Sequence, residues 1–376
     1  MKKLLFLVNV DSFFLSHRLP IALMALDKGY EVHIAARITD KKAELESYGL
    51  IVHNLPITTS KSGLIREMAT LIQLVRILRN VKPSILHTVT IKPVLYGGIA
   101  ARFAGVRRVV AAISGLGYLF TTHTPSIRLK RKLIGWLYRS ALKHRYIKVI
   151  FHNHDDKKTL TEIVRLENNK IVVIPGSGVD LGKFVAISEP KQGSVRVVMA
   201  SRFLADKGIN EFVEAARQLR NKGTKATFQL AGAIDPGNPT SITQSQIETW
   251  KDDGVIEILG QHNDIATLFS QAHIVVLPSY REGFPKVLIE AAACGRPIVT
   301  TDVPGCRDAI IPDKTGLLVP ARDDTALANA IERLILDTEL RQHMGKAGRS
   351  LAEERYDIQQ VVETHLDIYQ ELLSGA

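Results

Sequence analysis

Short, uninterrupted apolar runs recur along this chain, and helix-forming stretches separate them. LLFLV (4–8) is followed by runs at 31–35, 51–55, 84–88, 108–113, 147–151 and 171–174. Between them, helical patterns fall at about 18–28, 63–80, 93–104, 126–146 and 155–166. A strand that is apolar on both faces must be covered on both, which a parallel sheet between two helix layers provides. The alternation pauses at PGSGVDLGKFVAISEPKQGS (175–194), whose Gly, Ser and Pro mark a linker. It restarts with VRVVMA (195–200) and continues with strands at 226–231, 255–259, 273–277 and 298–301, then closing helices over 323–336 and 338–374. The expected architecture is α/β: two doubly wound parallel-sheet domains, 1–175 and 190–356, facing each other across a cleft. The final helix, about 357–374, is a candidate to pack back on the first domain. Ligands of such sheets bind at the carboxyl ends of the strands, so each domain can present one substrate.

Charge separates the two halves. Residues 1–170 carry 28 Lys and Arg against 11 Asp and Glu; residues 171–376 carry 21 against 27. From 51 to 150 there are 17 basic residues and one acid, Glu67. Such asymmetry points to an anionic surface met by the first domain. Only Cys294 and Cys306 are present, so no disulfide framework is expected. The opening MKKLLFLVN has too short an apolar run for a signal peptide. No stretch approaches the ~18 apolar residues of a membrane span. The expected location is cytoplasmic, with peripheral attachment to the inner face of the plasma membrane.

Two motifs in the second half carry chemistry. In PSYREGFPKVLIEAAACGRPIVTT (278–301), a buried strand enters a turn holding Glu282 and Gly283, and a helix containing Glu290 follows. A helix N-terminus there favours phosphate, so an acid in the turn needs another task, such as binding sugar hydroxyls. In SRFLADKG (201–208), Arg202 and Lys207 flank a short loop after the domain's first strand. Cations at a helix N-terminus oppose its dipole, which calls for an anion nearby. Alone this motif is more often a solvated loop; beside the 282–290 segment it reads as a diphosphate site.

The first half offers weaker signals. NVDSFFLSHRLP (9–20) follows strand one and supplies Asp11, Ser12, His17 and Arg18 as acceptor-side candidates. In GLGYLF (115–120), Gly115 and Gly117 suit a tight loop near a ligand. His152 and His154 in FHNHDDKK alternate along an extended segment, which is poor metal geometry; no Asp-x-Asp pair exists either. No metal and no cofactor are expected. Residues 126–148 join eight basic residues to an apolar stripe and read either as a packed helix with a solvated face or as a lipid-facing one.

The constellation resembles the retaining family 4 glycosyltransferases, whose GT-B arrangement is two facing Rossmann-like domains. Their E-x₇-E hallmark is matched by Glu282 and Glu290, and their Arg/Lys diphosphate motif by Arg202 and Lys207. SHRLP, ISGLGYLF, IPGSGVD, DPGNPTSI and LPSYREGFPKVLIEAAACGRPIVTTDVPGCRDAI resemble a branch that transfers N-acetylhexosamines, notably N-acetylgalactosamine, to undecaprenyl-diphosphate-linked sugars. The resemblance implies that Glu290 binds the donor ribose and Glu282 the sugar hydroxyls. The helix start at Gly283, Phe284, Pro285, Lys286 and Val287 would lie under the diphosphate of a UDP-sugar substrate. Glu282, Arg202, Lys207 and His17 become the catalytic candidates. Many relatives carry a cleft histidine where this chain has Ile113-Ser114-Gly115, so that role does not transfer. A UDP-sugar epimerase of the same fold leaves the basic half unexplained. A nucleic-acid-binding protein lacks aromatic interleaving and leaves the 282–290 unit idle.

Overall fold

The computed structural model describes residues 1–57, 63–116 and 125–375, and of 125–132 only the backbone. It forms two units, Met1–Ser177 with Gln359–Ala376, and Gly178–Ile358.

In the first unit the elements run β1 (Lys2–Val10), α1 (Asp11–His17), α2 (Leu19–Asp27), β2 (Tyr30–Arg37), α3 (Lys42–Ser47), β3 (Ile51–Asn54) and α4 (Leu64–Val81). They continue as β4 (Ile85–Val89), α5 (Ile91–Ala104), β5 (Arg108–Ile113), α6 (Pro125–Leu142), β6 (Tyr146–Phe151), α7 (His154–Val164) and β7 (Ile171–Val173). The strands pair in parallel in the order β3-β2-β1-β4-β5-β6-β7. Leu4 to Val8 are wholly buried, as a strand covered on both faces requires. Leu5, Leu7, Leu86, Val109 and Phe151 face one layer, packing with Leu74 and Leu78 of α4 and Tyr138 of α6. Residues 11–17, which precede the first helix expected from the sequence at about 18–28, are themselves the helix α1. Phe14 makes the reason clear: buried edge-on against Phe6, ring centroids 5.4 Å apart, it holds that turn down on β1.

The second unit runs β8 (Val195–Ala200), α8 (Ile209–Asn221), β9 (Ala226–Ala231), α9 (Gln244–Asp252), β10 (Glu257–Gly260), α10 (Ile265–Ser270) and β11 (Ile274–Leu277). Then come α11 (Lys286–Ala293), β12 (Ile298–Thr301), β13 (Gly316–Val319), α12 (Asp324–Leu336) and α13 (Thr338–Arg355). Strand order is β10-β9-β8-β11-β12-β13, again parallel. The switch in direction of winding falls between β8 and β11.

The last helix, α14 (Ile358–Ser374), returns to the first unit. Arg108 Nε donates to the Leu372 carbonyl at 2.8 Å, and Lys148 pairs with Glu371 at 2.6 Å. Beneath it lies a buried polar layer. His87 Nδ1 bonds the Tyr369 hydroxyl at 2.6 Å, His87 stacks on His365, and Arg18 lies 3.3 Å from His152 Nε2. Burial above all, then the Arg18 charge, lowers His152 to about 4; burial and Arg18 likewise lower His365 to about 3. Burial, with neighbouring His365 and Arg18, holds His87 well below its ordinary value. Among the described residues no helix is long and apolar enough to cross a membrane.

These histidines are neutral in the fold and take up protons on unfolding, so their contribution is complete above about pH 6.5 and is lost as pH falls below it. For each histidine the slope reaches about 1.4 kcal/mol per pH unit once the unfolded form is charged. The urea midpoint should therefore drop between about pH 7 and about pH 5; a flat midpoint would show that α14 is not held over neutral histidines.

Candidate active site

The site in the second unit is built at the carboxyl ends of its strands. A pocket of about 490 Å³ is walled by Ala200 to Arg202 after β8, Ala231 to Pro236 after β9, Gln261 and His262 after β10, and Val287 and Glu290 of α11. This is the side of the β8/β11 switch where the loops diverge and leave a crevice.

The two loops flanking the switch are stitched together. Tyr280 N–H donates to the Asp206 carbonyl at 2.9 Å, and the Ser279 hydroxyl donates to the same oxygen at 3.1 Å. Gly208 makes this closeness possible: its φ is +77°, and a Cβ there would sit 2.1 Å from the Pro278 carbonyl oxygen. On the other side of the acidic turn, Gly305 (φ +81°) comes so close that a Cβ would lie 2.5 Å from the Glu282 carbonyl oxygen. The turn is thus clamped from both sides by backbone.

Within this frame the four residues of the two motifs meet. Lys207 Nζ pairs with the Glu282 carboxylate, both side chains mostly shielded from solvent. Arg202 pairs with Asp235 at 2.8 Å and remains 62% exposed. Lys286 lies 3.4 Å from Glu290. Glu290 itself is buried, and desolvation pushes its carboxyl up, against the pull of Lys286. Pro285 is the N-cap of α11 and its side chain makes no cap hydrogen bond. Phe284 packs edge-on against Tyr356 at 5.6 Å, anchoring the start of the helix.

The sequence singled out Arg202, Val287 and Glu290, which line the pocket; Lys207 and Glu282 stand beside it as a pair. Asp235, Gln261 and His262 were missed. Their signal was DPGNP and the polar turn after β10, which sequence alone reads only as loops.

The first-unit candidates are distributed differently. Asp11 is fully buried and accepts from the Thr39 amide at 2.6 Å and its hydroxyl at 2.9 Å, tying α1 to the end of β2. Ser12 is exposed. His17 is half-buried, stacked on Phe13 at 4.4 Å and bonded to the Ser16 hydroxyl at 2.5 Å. Arg18 is buried in the layer under α14, and its guanidinium also donates to the His17 carbonyl. Gly115 has φ +118°; Gly117 lies outside the described residues. His152 and His154 do not act together: His152 is buried, with Nδ1 on the Ile174 carbonyl, and His154 begins α7. In the 126–148 stretch, α6 buries Tyr138, Ala141 and Leu142 and exposes Leu133 and Trp136; the Arg128, Lys130, Arg131 and Lys132 side chains lie outside the description. Cys294 and Cys306 are buried thiols, each pushed up to about 12 by desolvation, and so are unsuited to nucleophilic work.

Two Rossmann-like parallel-sheet units are the parts of a glycosyltransferase of the GT-B architecture. The chain belongs to that family: residues 183–351 match glycosyl transferases group 1, and residues 3–153 match the glycosyl transferase 4-like model. It is 28% identical, over 98% of its own length and 99% of the relative's, to the N,N'-diacetylbacillosaminyl-diphospho-undecaprenol alpha-1,3-N-acetylgalactosaminyltransferase of Campylobacter jejuni. It is 29% identical to the Escherichia coli UDP-Gal:alpha-D-GlcNAc-diphosphoundecaprenol alpha-1,3-galactosyltransferase, over 84% of this chain and 82% of that one. Among solved structures, sucrose-phosphate synthase from Thermosynechococcus elongatus superposes with a TM-score of 0.81 at 21% identity, over all of both chains. Anabaena HepE in complex with UDP gives 0.76 at 18%, over 99% of this chain and 100% of that one.

Burial makes the charged Glu290 carboxylate a cost to the fold. That carboxylate is penalised in the folded state wherever it is charged, above its raised pKa; the penalty disappears as pH falls through the window between that value and the ordinary 4.5. Glu290→Gln should therefore raise the thermal midpoint at alkaline pH by about 2–4 °C for each kcal/mol recovered, with the gain shrinking on acidification. A variant that melts lower at every pH would mean that the charged form is held by contacts stronger than its desolvation.

Proposed function

We propose that this protein is a retaining, metal-independent glycosyltransferase that moves an N-acetylhexosamine, with N-acetylgalactosamine the first choice, from a UDP-sugar to a polyprenyl-diphosphate-linked saccharide. The observation that carries the donor side is the pairing of Lys207 with the Glu282 turn beside a pocket bounded by Arg202 and Glu290. A carboxylate and two cations within one clamped frame suit a ligand that is hydroxyl-rich at one end and anionic at the other. The acceptor and the sugar rest on the likeness to the Campylobacter and Escherichia enzymes, whose names carry undecaprenol-linked substrates.

In this reading Glu290 takes the donor ribose, and Glu282 the hydroxyls of the sugar to be transferred. The amides of Gly283 and Phe284 and the α11 start at Pro285, Lys286 and Val287 lie under the diphosphate, where helix N-termini favour anions. Arg202 exchanges Asp235 for a phosphate oxygen at little cost, because an exposed ion pair contributes at most about 1 kcal/mol. Charge accumulates on UDP as the bond between the sugar's anomeric carbon and the phosphate oxygen breaks. Arg202 and Lys207 answer that charge, so their contribution is largest in the transition state. The acceptor hydroxyl attacks from the face that UDP leaves, forming the new glycosidic bond, and its proton passes to the departing phosphate oxygen. On the first unit, His17 and Ser12 are assigned to the acceptor side by contact, together with Gly115 and Gly117, and Asp11 by holding α1; Arg18, buried under α14, is left out of that set. The basic first half brings the enzyme to the anionic inner leaflet, where a lipid-linked acceptor resides.

Arg202→Ala and Lys207→Ala should each lower turnover on the order of 100-fold, the effect expected for one lost charge-stabilising donor. Near-native rates with UDP-N-acetylgalactosamine and lipid-linked acceptor in both variants would remove the leaving-group assignment. With two cations already committed to the diphosphate, transfer should also persist in EDTA; activity abolished by the chelator and restored by Mn²⁺ or Mg²⁺ would replace this scheme with a metal-assisted one.

A further inference from the structure

Helix α4 is apolar on two sides. Its inner side, Thr70, Leu74, Leu78 and Val81, is buried in the core of the first unit. Its outer side carries Leu64 (79% exposed), Ile65 (88%), Met68 (49%) and Ile72 (49%). Residues 64, 68 and 72 are four apart, so they form one stripe along the helix, with Ile65 at its edge. A helix that already buries one face has no folding reason to repeat the pattern outside, and contiguous exposed apolar residues mark a contact surface.

The charges around the stripe identify the partner. Arg76 continues the stripe one turn on and is exposed, and Arg79 follows at the C-terminal end. Glu67, the one acid between 51 and 150, is taken by Lys92 at 2.9 Å and by the Tyr96 hydroxyl on α5. The neighbouring helices continue the same character. Arg79 donates to the carbonyl of Phe103, itself 65% exposed, and Arg102 of α5 donates to the Ser140 hydroxyl of α6. Leu133 (59% exposed) and Trp136 (61%) lie at i−7 and i−4 from that serine, on its side of α6. A second copy of the chain would set two strongly basic halves against each other. An anionic bilayer matches both features: apolar side chains enter the headgroup–acyl boundary, and the arginines meet lipid phosphates.

We propose that α4 is the bilayer-contacting element of this enzyme, inserting Leu64, Ile65, Met68 and Ile72 into an anionic leaflet while Arg76 and Arg79 contact headgroups. This rests on the function proposed above for the need to reach a membrane, and it names the surface that does so. The test uses the full-length protein with phosphatidylglycerol-containing and pure phosphatidylcholine vesicles. Replacing Leu64, Ile65, Met68 and Ile72 together by Ser alters only exposed positions; unchanged circular dichroism and thermal midpoint verify the fold. Partitioning to anionic vesicles should fall at least about tenfold and stay low at any salt concentration, since the lost contribution is apolar. Arg76→Gln with Arg79→Gln should weaken binding mainly at low salt. Transfer to a water-soluble short-chain acceptor should be unchanged in the four-Ser variant, while transfer to long-chain acceptor in vesicles drops. Undiminished vesicle binding by that variant overturns the inference, and leaves the membrane reading standing if Leu133→Ser with Trp136→Ser abolishes binding instead. A wild-type dimer that the four-Ser variant dissolves, with vesicle binding unaffected, also overturns it and gives the stripe to a second copy. Loss of the glycosyltransferase reading itself would appear separately, as absence of transfer to the short-chain acceptor in the wild type.

Discussion

Between β8 and β11 two parallel neighbours send their following loops to opposite faces of the sheet, and the rest of the second unit is arranged around that parting. Parallel strands cannot be joined by tight turns, so each crossover brings a helix start or a loop to the carboxyl edge. At this edge the loops are not free to spread. Gly208 lies against Pro278, Gly305 against Glu282, and the Asp206 carbonyl accepts from both Ser279 and Tyr280. Glu282 and Lys207, 75 residues apart in the chain, are paired by this backbone closure. Preorganisation of this kind costs nothing at the moment of reaction, which is why charge stabilisation in such a site exceeds what the same groups achieve in water.

The opposite edge of the same sheet shows the complementary physics. There the helices end, and their carbonyls lack partners. Arg296 donates to the Phe269 and Ser270 carbonyls at the end of α10, Arg341 to Leu334 and Ile335 at the end of α12, and Arg349 to Ala293 at the end of α11. Each arginine also reaches the linker strap: Arg296 at the Ile187 carbonyl, Arg341 at Glu189 through two bonds, and Arg349 at the Phe184 carbonyl. Cations at helix C-termini are favoured by the dipole. One edge thus collects cations to close helices; the other gathers helix starts together with Arg202 and Lys207.

Much of the fold was legible because its strands are buried on both faces. Continuous β-branched runs located β1, β5, β8, β9 and β12 within a residue or two, and both sheets came out parallel. Elements with little apolar area escaped. GLLV of β13 is four residues beside a glycine, α10 has six residues, and the α9 sequence is mostly polar, held by its Thr243–Gln246 capping box and by Ile247 and Trp250. Residues 11–17 after β1 gave no helix signal because their apolar pattern is brief; contact with Phe6 makes them helical.

For the candidate site, residue types and spacing singled out Arg202, Lys207, Glu282 and Glu290, because a turn acid before a helix start and a cation pair after a strand each conflict with local rules unless a ligand resolves them; in the structure Arg202 and Glu290 line one pocket and Lys207 pairs with Glu282. Local spacing also decided that the chain would build two parallel sheets. Tertiary structure alone decided three things. It brought Asp235 to Arg202 and made His262 a wall of the pocket, because adjacency of β9 and β10 to β8 is a property of strand order. It buried Arg18 and Asp11, which sequence presented as ligand-facing, because α14 and the Thr39 loop close over them from distant parts of the chain. And it turned Leu64, Ile65, Met68 and Ile72 outward: periodicity shows that a helix has an apolar side, but only packing shows which side the core has left uncovered.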